Sequence, residues 1–246
     1  EYAGTVDVSD FAGNNMPFHV AADDAGNILV CNLTAGNEEF VVWRSKGADR
    51  PFEKYIEFHA EQKMGWNISV CGSLDADAII TTYAQGAALQ YARWQVQGGV
   101  LTSQTPEIIS VQNTNCGFQR WGDAVYTDPA DIRSDYLAAG HAKDNEDGKR
   151  YFFLVDGVTH KIKAKGPAET KNNTPISSVD YIEFNNSSYV AYNYVNPFTW
   201  TVGSSDAVLL YDITTDVFGS PIAPIPSKEY GALGKNAHGY GDVAFH

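Results

Sequence analysis

The sequence predicts an all-β protein folded as a five-bladed β-propeller of four-stranded antiparallel blades, on three observations. A first-strand pattern recurs about every 50–60 residues. Each complete copy is followed by three further short runs separated by turn residues. The composition, with 14 Tyr, 12 Phe and 5 Trp against 2 Met, favours pleated and half-buried surfaces over helices.

The first strands fall at Phe18-His19-Val20-Ala21, Trp66-Asn67-Ile68-Ser69, Gly122-Asp123-Ala124-Val125, Val179-Asp180-Tyr181-Ile182 and Gly241-Asp242-Val243-Ala244. Second strands follow as apolar runs at 28–32, 78–83, 134–140 and 188–193. Third strands, richer in aromatics, lie at 40–43, 89–94, 151–155 and 208–211. Fourth and more polar strands lie at 52–58, 107–111 and 160–163, and the prolines of 221–226 reduce the fourth copy to a weak edge. Asp24-Ala25-Gly26-Asn27 and Asp147-Gly148 mark tight turns. Two single helical turns are expected near 60–63 and 228–233.

Gly4-Thr5-Val6-Asp7-Val8-Ser9 reads as an outer strand with no unit before it, and the fifth copy holds only its first strand. Pairing the N-terminal strand into that last, incomplete blade closes the ring and covers an open sheet edge. Either about 25–35 residues belong beyond His246 or the ring closes less regularly. Residues 1–246 are read as a single propeller domain. The chain starts at Glu1 without a signal peptide and reads as a processed, trimmed or partial product.

Thirty acidic against 17 basic residues give a formal net charge of −13, a field that repels nucleic-acid phosphates and anionic lipids. Lys161, Lys163 and Lys165 alternate along one short strand and suit a solvated, charge-protected outer edge. No apolar run is long enough to span a membrane. Cys31, Cys71 and Cys116 have no metal-ligand spacing, and the first two sit inside apolar strands as structural thiols. Phosphate-binding glycine loops, GxSxG elbows and HExxH pairs are absent from the sequence. Asp144-Asn145-Glu146-Asp147-Gly148 lacks the spacing of an EF-hand and reads as a solvated hairpin turn.

Three stretches carry a family resemblance: Ala3–Asp10, Val20–Thr34 and Asn236–Ala244. They resemble propeller-like domains of surface and secreted proteins from gram-negative gut bacteria, a family largely without assigned function. The resemblance implies an extracytoplasmic, lipoprotein-like molecule at the cell surface, in the periplasm or secreted, with a link to glycan capture. It supplies no catalytic residue.

Aligned first strands offer one polar residue each: His19, Asn67, Asp123, Asp180 and Asp242. First strands line a propeller's channel, so these positions should form a ring. Three readings of that ring stay open. The side chains cap strand starts through backbone hydrogen bonds. Asp123, Asp180 and Asp242 hold a hard cation such as calcium. The same carboxylates perform glycoside hydrolysis or lysis. Trp66, Trp121, Tyr181 and Tyr240 lie beside the ring, and a loop carrying Tyr194 and Trp200 adds further aromatic faces on which sugars stack. The leading expectation is a non-enzymatic binding or scaffold module for carbohydrate. A glycoside hydrolase or lyase and a protein-docking platform are the alternatives.

Overall fold

The computed structural model describes residues 17–116, 122–166, 176–184, 187–194, 208–212 and 221–225. These residues form nineteen β-strands and no helix. Strands β1 (Pro17–Ala22), β2 (Ile28–Asn32), β3 (Glu38–Ser45) and β4 (Glu53–Ala60) make the first antiparallel sheet in sequence order. The second sheet runs β5 (Ser69–Gly72), β6 (Ala78–Ala84), β7 (Gln90–Gln97) and β8 (Val100–Leu101), with β9 (Glu107–Ser110) also pairing with β7. A two-stranded ladder joins β10 (Thr114–Asn115) to β13 (Lys143–Asp144). The third four-stranded sheet is β11 (Gly122–Tyr126), β12 (Tyr136–Gly140), β14 (Phe153–Val155) and β15 (Ile162–Lys165). The fourth is β16 (Ile176–Phe184), β17 (Ser187–Tyr194), β18 (Val208–Asp212) and β19 (Pro221–Ile225).

The chain divides into two compact units. One comprises Glu1–Gln85, Tyr91–Ile108 and Pro129–Ile132; the other comprises Gly86–Gln90, Ile109–Asp128 and Arg133–His246. In the first unit the period-two alternation of β3 separates two clusters. Phe40 and Val42 join Leu29, Cys31, Ile56, Ile80, Ala92, Trp94 and Val96 in the main core. Val41 and Trp43, on the other face, pack with Val30. Phe40 stacks on Trp94 with ring centroids 5.7 Å apart. β6 is buried along its whole length, which is why Ala78-Ile79-Ile80-Thr81-Thr82-Tyr83 reads as an unbroken rather than an alternating run. In the second unit Leu137, Ala139, Phe152, Val179 and Val190 form a buried cluster among the described residues.

Side-chain amides take the place of strand residues where the ladder ends. Asn32, last in β2, donates from Nδ2 to the Glu39 carbonyl (2.9 Å) and accepts the Val41 N–H at Oδ1 (2.8 Å). One carboxamide thus satisfies two backbone groups that would otherwise be orphaned near the core. Gly65 lets the chain enter the second sheet: its φ is 93° and a Cβ there would lie 2.0 Å from the Asn32 carbonyl oxygen.

A charged clasp closes the turns of the first unit. Buried Asn27 donates to Asp23 Oδ2 (2.9 Å) and Asp75 Oδ2 (3.2 Å), and its Oδ1 accepts Arg44 Nη2 (2.8 Å). Arg44 Nη2 also meets Asp75 Oδ1 at 2.7 Å, and its guanidinium lies 5.2 Å from the centre of the Tyr55 ring.

The strand order within each described repeat follows the sequence, with local departures. The second-sheet first strand begins at Ser69, leaving Trp66 and Asn67 just before it, because the Asn67 side chain itself takes the Tyr83 N–H. The turn expected near 60–63 is not helical: Ala60 ends β4, and Met64 bridges to Ala84. Gly98 and Gly99, with φ of 55° and 79°, form a two-residue hairpin that adds β8. The prolines of β19 do not prevent pairing: Pro221 and Pro224 sit on the last strand of the sheet, where a missing N–H costs little. The N-terminal strand at 4–9, the fifth first strand at 241–244 and the turn at 228–233 lie outside the described residues.

Candidate functional site

Two of the described first-strand polar residues, Asp123 and Asp180, belong to the second unit. Gly122 and Asp123 open β11, opposite Gly140 and Ala139 of β12. The Asp123 carboxylate, only 9 % exposed, accepts the Val179 N–H at 3.0 Å. Val179 immediately precedes Asp180 on β16, so one hydrogen bond ties the Asp123 carboxylate to the backbone of the next first strand. Asp180 is half-buried and accepts the N–H of Tyr181 at 2.8 Å. Its backbone stands opposite Ala191 of β17. The Tyr181 ring packs on the Leu137–Phe152–Val190 cluster. Its hydroxyl lies 2.8 Å from Glu183 Oε1 and 3.0 Å from Ser188 Oγ. Burial is the main cause that raises its pKa.

The other two described ring positions belong to the first unit. His19 is half-buried on β1, opposite Cys31. Asn67 is buried; its Oδ1 accepts the Tyr83 N–H at 2.9 Å and its carbonyl accepts the Thr82 hydroxyl. Trp66 beside it is half-buried. Tyr194 is the last residue of β17, facing Ile176 across the ladder. Trp121, Trp200, Tyr240 and Asp242 lie outside the described residues.

Other reactive groups are committed to structural roles. No disulfide joins the three buried cysteines. Desolvation pushes the Cys31 and Cys116 thiols up to about 12, so both stay protonated and non-nucleophilic at neutral pH. Among the described residues no group of three or more His, Cys, Asp and Glu side chains is arranged to hold a metal ion.

The acidic hairpin after β12 is more than a solvated turn. Asp144 is buried and accepts the Glu146 N–H at 2.7 Å. It pairs with Lys165 Nζ at 2.9 Å, and that ammonium lies 4.9 Å from the centre of the Tyr151 ring. Tyr151 donates its hydroxyl to Asp147, and burial followed by that bond drives its pKa to about 12. Lys163 pairs with Asp135 at 2.6 Å. Lys163 and Lys165 therefore fasten the edge strand to Asp135 and Asp144 rather than only shielding it. The alternation of the lysines was visible in the sequence, but their pairing with acids 21 and 28 residues away was not.

The described residues define an all-β protein built of successive antiparallel sheets. The profile of a domain of unknown function, DUF8500, matches residues 3–222, and the chain belongs to that family. No curated protein matches the sequence. Among solved structures, the fold is similar to that of the exo-β-1,3-galactanase from Phanerochaete chrysosporium, determined with β-1,3-galactotriose. Two of its crystal structures match with TM-scores of 0.54 and 0.55 at 10 % identity, covering 88 % of this chain. The chain spans about half the length of that enzyme, 51 % of it. A GH43 β-1,3-galactosidase matches at a TM-score of 0.48, with 9 % identity over 88 % of this chain and 47 % of that one. At these identities the likeness speaks of the fold.

Proposed function

We propose that this chain is a carbohydrate-acting domain of the five-bladed β-propeller class and that its chemistry is glycoside hydrolysis. The observation that carries the reading is the meeting of Asp123 with the backbone beside Asp180, on successive first strands of a fold similar to a galactanase. Glycoside hydrolysis needs two carboxyl groups flanking one bond. Asp123, held by a backbone donor, keeps a fixed orientation suited to a nucleophile or base. Asp180, the more exposed of the two, takes the complementary role. Asp242 supplies a third first-strand carboxylate at the same register.

A sugar-binding module without hydrolysis is the second reading. It is favoured by the buried amide of Asn67, which is spent on the Tyr83 backbone at a ring position where an enzyme would profit from an acid. In that reading Trp66, Trp121, Tyr181, Tyr194, Trp200 and Tyr240 stack on the ligand, with His19 as a polar contact. Extracytoplasmic placement, closure of a single domain over residues 1–246 by the N-terminal strand, and a calcium ion among the three aspartates belong to the same proposal.

The test is release of reducing sugar from a panel of oligosaccharides, beginning with β-1,3-galactotriose. Hydrolysis by the wild type that disappears in Asp180→Asn supports the enzyme. No hydrolysis, combined with tryptophan quenching that is lost in Trp121→Ala, supports the binding module. Silence in both assays overturns the carbohydrate reading in favour of protein docking. A melting temperature unmoved by calcium or chelator removes the cation.

A further inference from the structure

One side chain caps part of the outer edge of the first sheet. β4 is the last described strand of that sheet, so among the described residues the outward N–H and C=O groups of Glu53–Ala60 have no neighbouring strand of their own sheet. Gln104, in the loop between β8 and β9, reaches this edge with both ends of its carboxamide. Its Oε1 accepts the Glu57 N–H at 2.9 Å, and its Nε2 donates to the Tyr55 carbonyl at 3.2 Å. These two groups, on residues i and i+2, are what one residue of an added parallel strand would engage. Asn32 satisfies Glu39 and Val41 with the same two-point geometry inside the sheet. The loop that presents Gln104 is itself pinned: the Gln104 carbonyl accepts the indole N–H of buried Trp94 at 2.9 Å.

We infer that Gln104 is an edge guard, a side-chain mimic of a peptide unit that keeps β4 from pairing with β4 of a second copy of this chain. The strand needs guarding. It is eight residues long and carries the strong strand formers Tyr55, Ile56 and Phe58. Charge, the usual deterrent on an edge, is weakened here because Lys54 and Glu57 neutralise each other at 2.5 Å. The nearest perfectly matched partner for an uncovered edge is the identical edge of another molecule.

Hydrogen exchange of the Glu57 amide and sedimentation over a range of protein concentrations test this. In Gln104→Ala the Glu57 amide is expected to exchange at least 10-fold faster at low concentration, with the Val42 amide of β3 unchanged. Raising the concentration is expected to convert the variant to dimers or larger species while the wild type shows no such shift. Adding Glu57→Pro removes the exposed donor without disturbing the inner ladder, and is expected to return the Gln104→Ala protein to the wild-type state. Gln104→Glu, which keeps the acceptor and loses the donor, should fall between. Unchanged Glu57 exchange in Gln104→Ala overturns the capping role. Association that persists in the double variant overturns edge pairing as its cause, and a variant with wild-type association at every concentration overturns the guard.

Discussion

Asp123 is asked to do two things, and two substitutions separate them. Val179 is 1 % exposed, and its N–H points at Asp123 Oδ2, 3.0 Å away. Asp123→Ala removes that acceptor, and a buried donor left without its acceptor costs about 1–3 kcal/mol. For a chain of this size each kcal/mol moves the midpoint by about 2–4 °C, so the alanine variant should melt about 2–12 °C lower. Asp123→Asn keeps an oxygen for the same N–H and exchanges a charged acceptor for a neutral one. That is a loss of about 1 kcal/mol. If the carboxylate also performs chemistry, the asparagine variant should fold nearly as stably as the wild type and still lose about 10²–10⁴-fold in turnover. Thermal melting followed by circular dichroism gives the first quantity; reducing-sugar release from the glycan that the panel identifies gives the second. An asparagine variant with wild-type turnover refutes the catalytic role. An alanine variant as stable as the wild type refutes the claim that the carboxylate holds the two strands together.

The charged clasp predicts a pH-dependent stability. Asn27→Ala removes the oxygen that accepts from Arg44 Nε and Nη2 and should lower stability by about 2–4 kcal/mol in urea unfolding. Hydrogen bonding from Asn27, helped by Arg44, lowers the Asp75 pKa below its ordinary 3.8. A depressed folded pKa contributes stability above 3.8 that fades as pH falls through the lower folded value. The wild type should therefore lose more stability than Asn27→Ala between pH 5 and acid conditions, and parallel titrations would contradict this. Phe40→Ala removes the ring stacked on Trp94 and should cost about 3–5 kcal/mol; a loss under 1 kcal/mol would mean the core collapses into the space. Burial keeps Cys31 and Cys116 protonated, so a disulfide reagent at pH 7 should modify neither until denaturant is added. Rapid labelling of either residue in the native protein would contradict their placement.

The strands were legible because short apolar runs between turn residues carry their own signal, as in Ile28–Asn32 and Ala78–Ala84. Even the weak edge at 221–226 was found in place as β19, although its pairing was underestimated, because proline, which lacks an N–H, is tolerated on the last strand of a sheet. Register was legible only where backbone hydrogen bonds set it. At Asn67 a side chain takes over a ladder position, and no periodicity announces that substitution. The contacts that fasten loops to strands were not legible, because Arg44 and Asp75 are 31 residues apart and Gln104 and Glu57 are 47 apart. Such pairs depend on how sheets bring distant turns together, and composition alone ranks them with any other exposed charges or amides. The carboxylates stood out by register on their strands, yet the tie from Asp123 to the next first strand became visible only through the bond from Val179.

The most direct test of the central claim is a crystal structure of Asp123→Asn with the oligosaccharide that the panel identifies. A sugar ring is expected in contact with both the residue 123 amide and the Asp180 carboxylate. A sugar bound only elsewhere on the chain, with both side chains turned away from it, would overturn the catalytic role of these two residues.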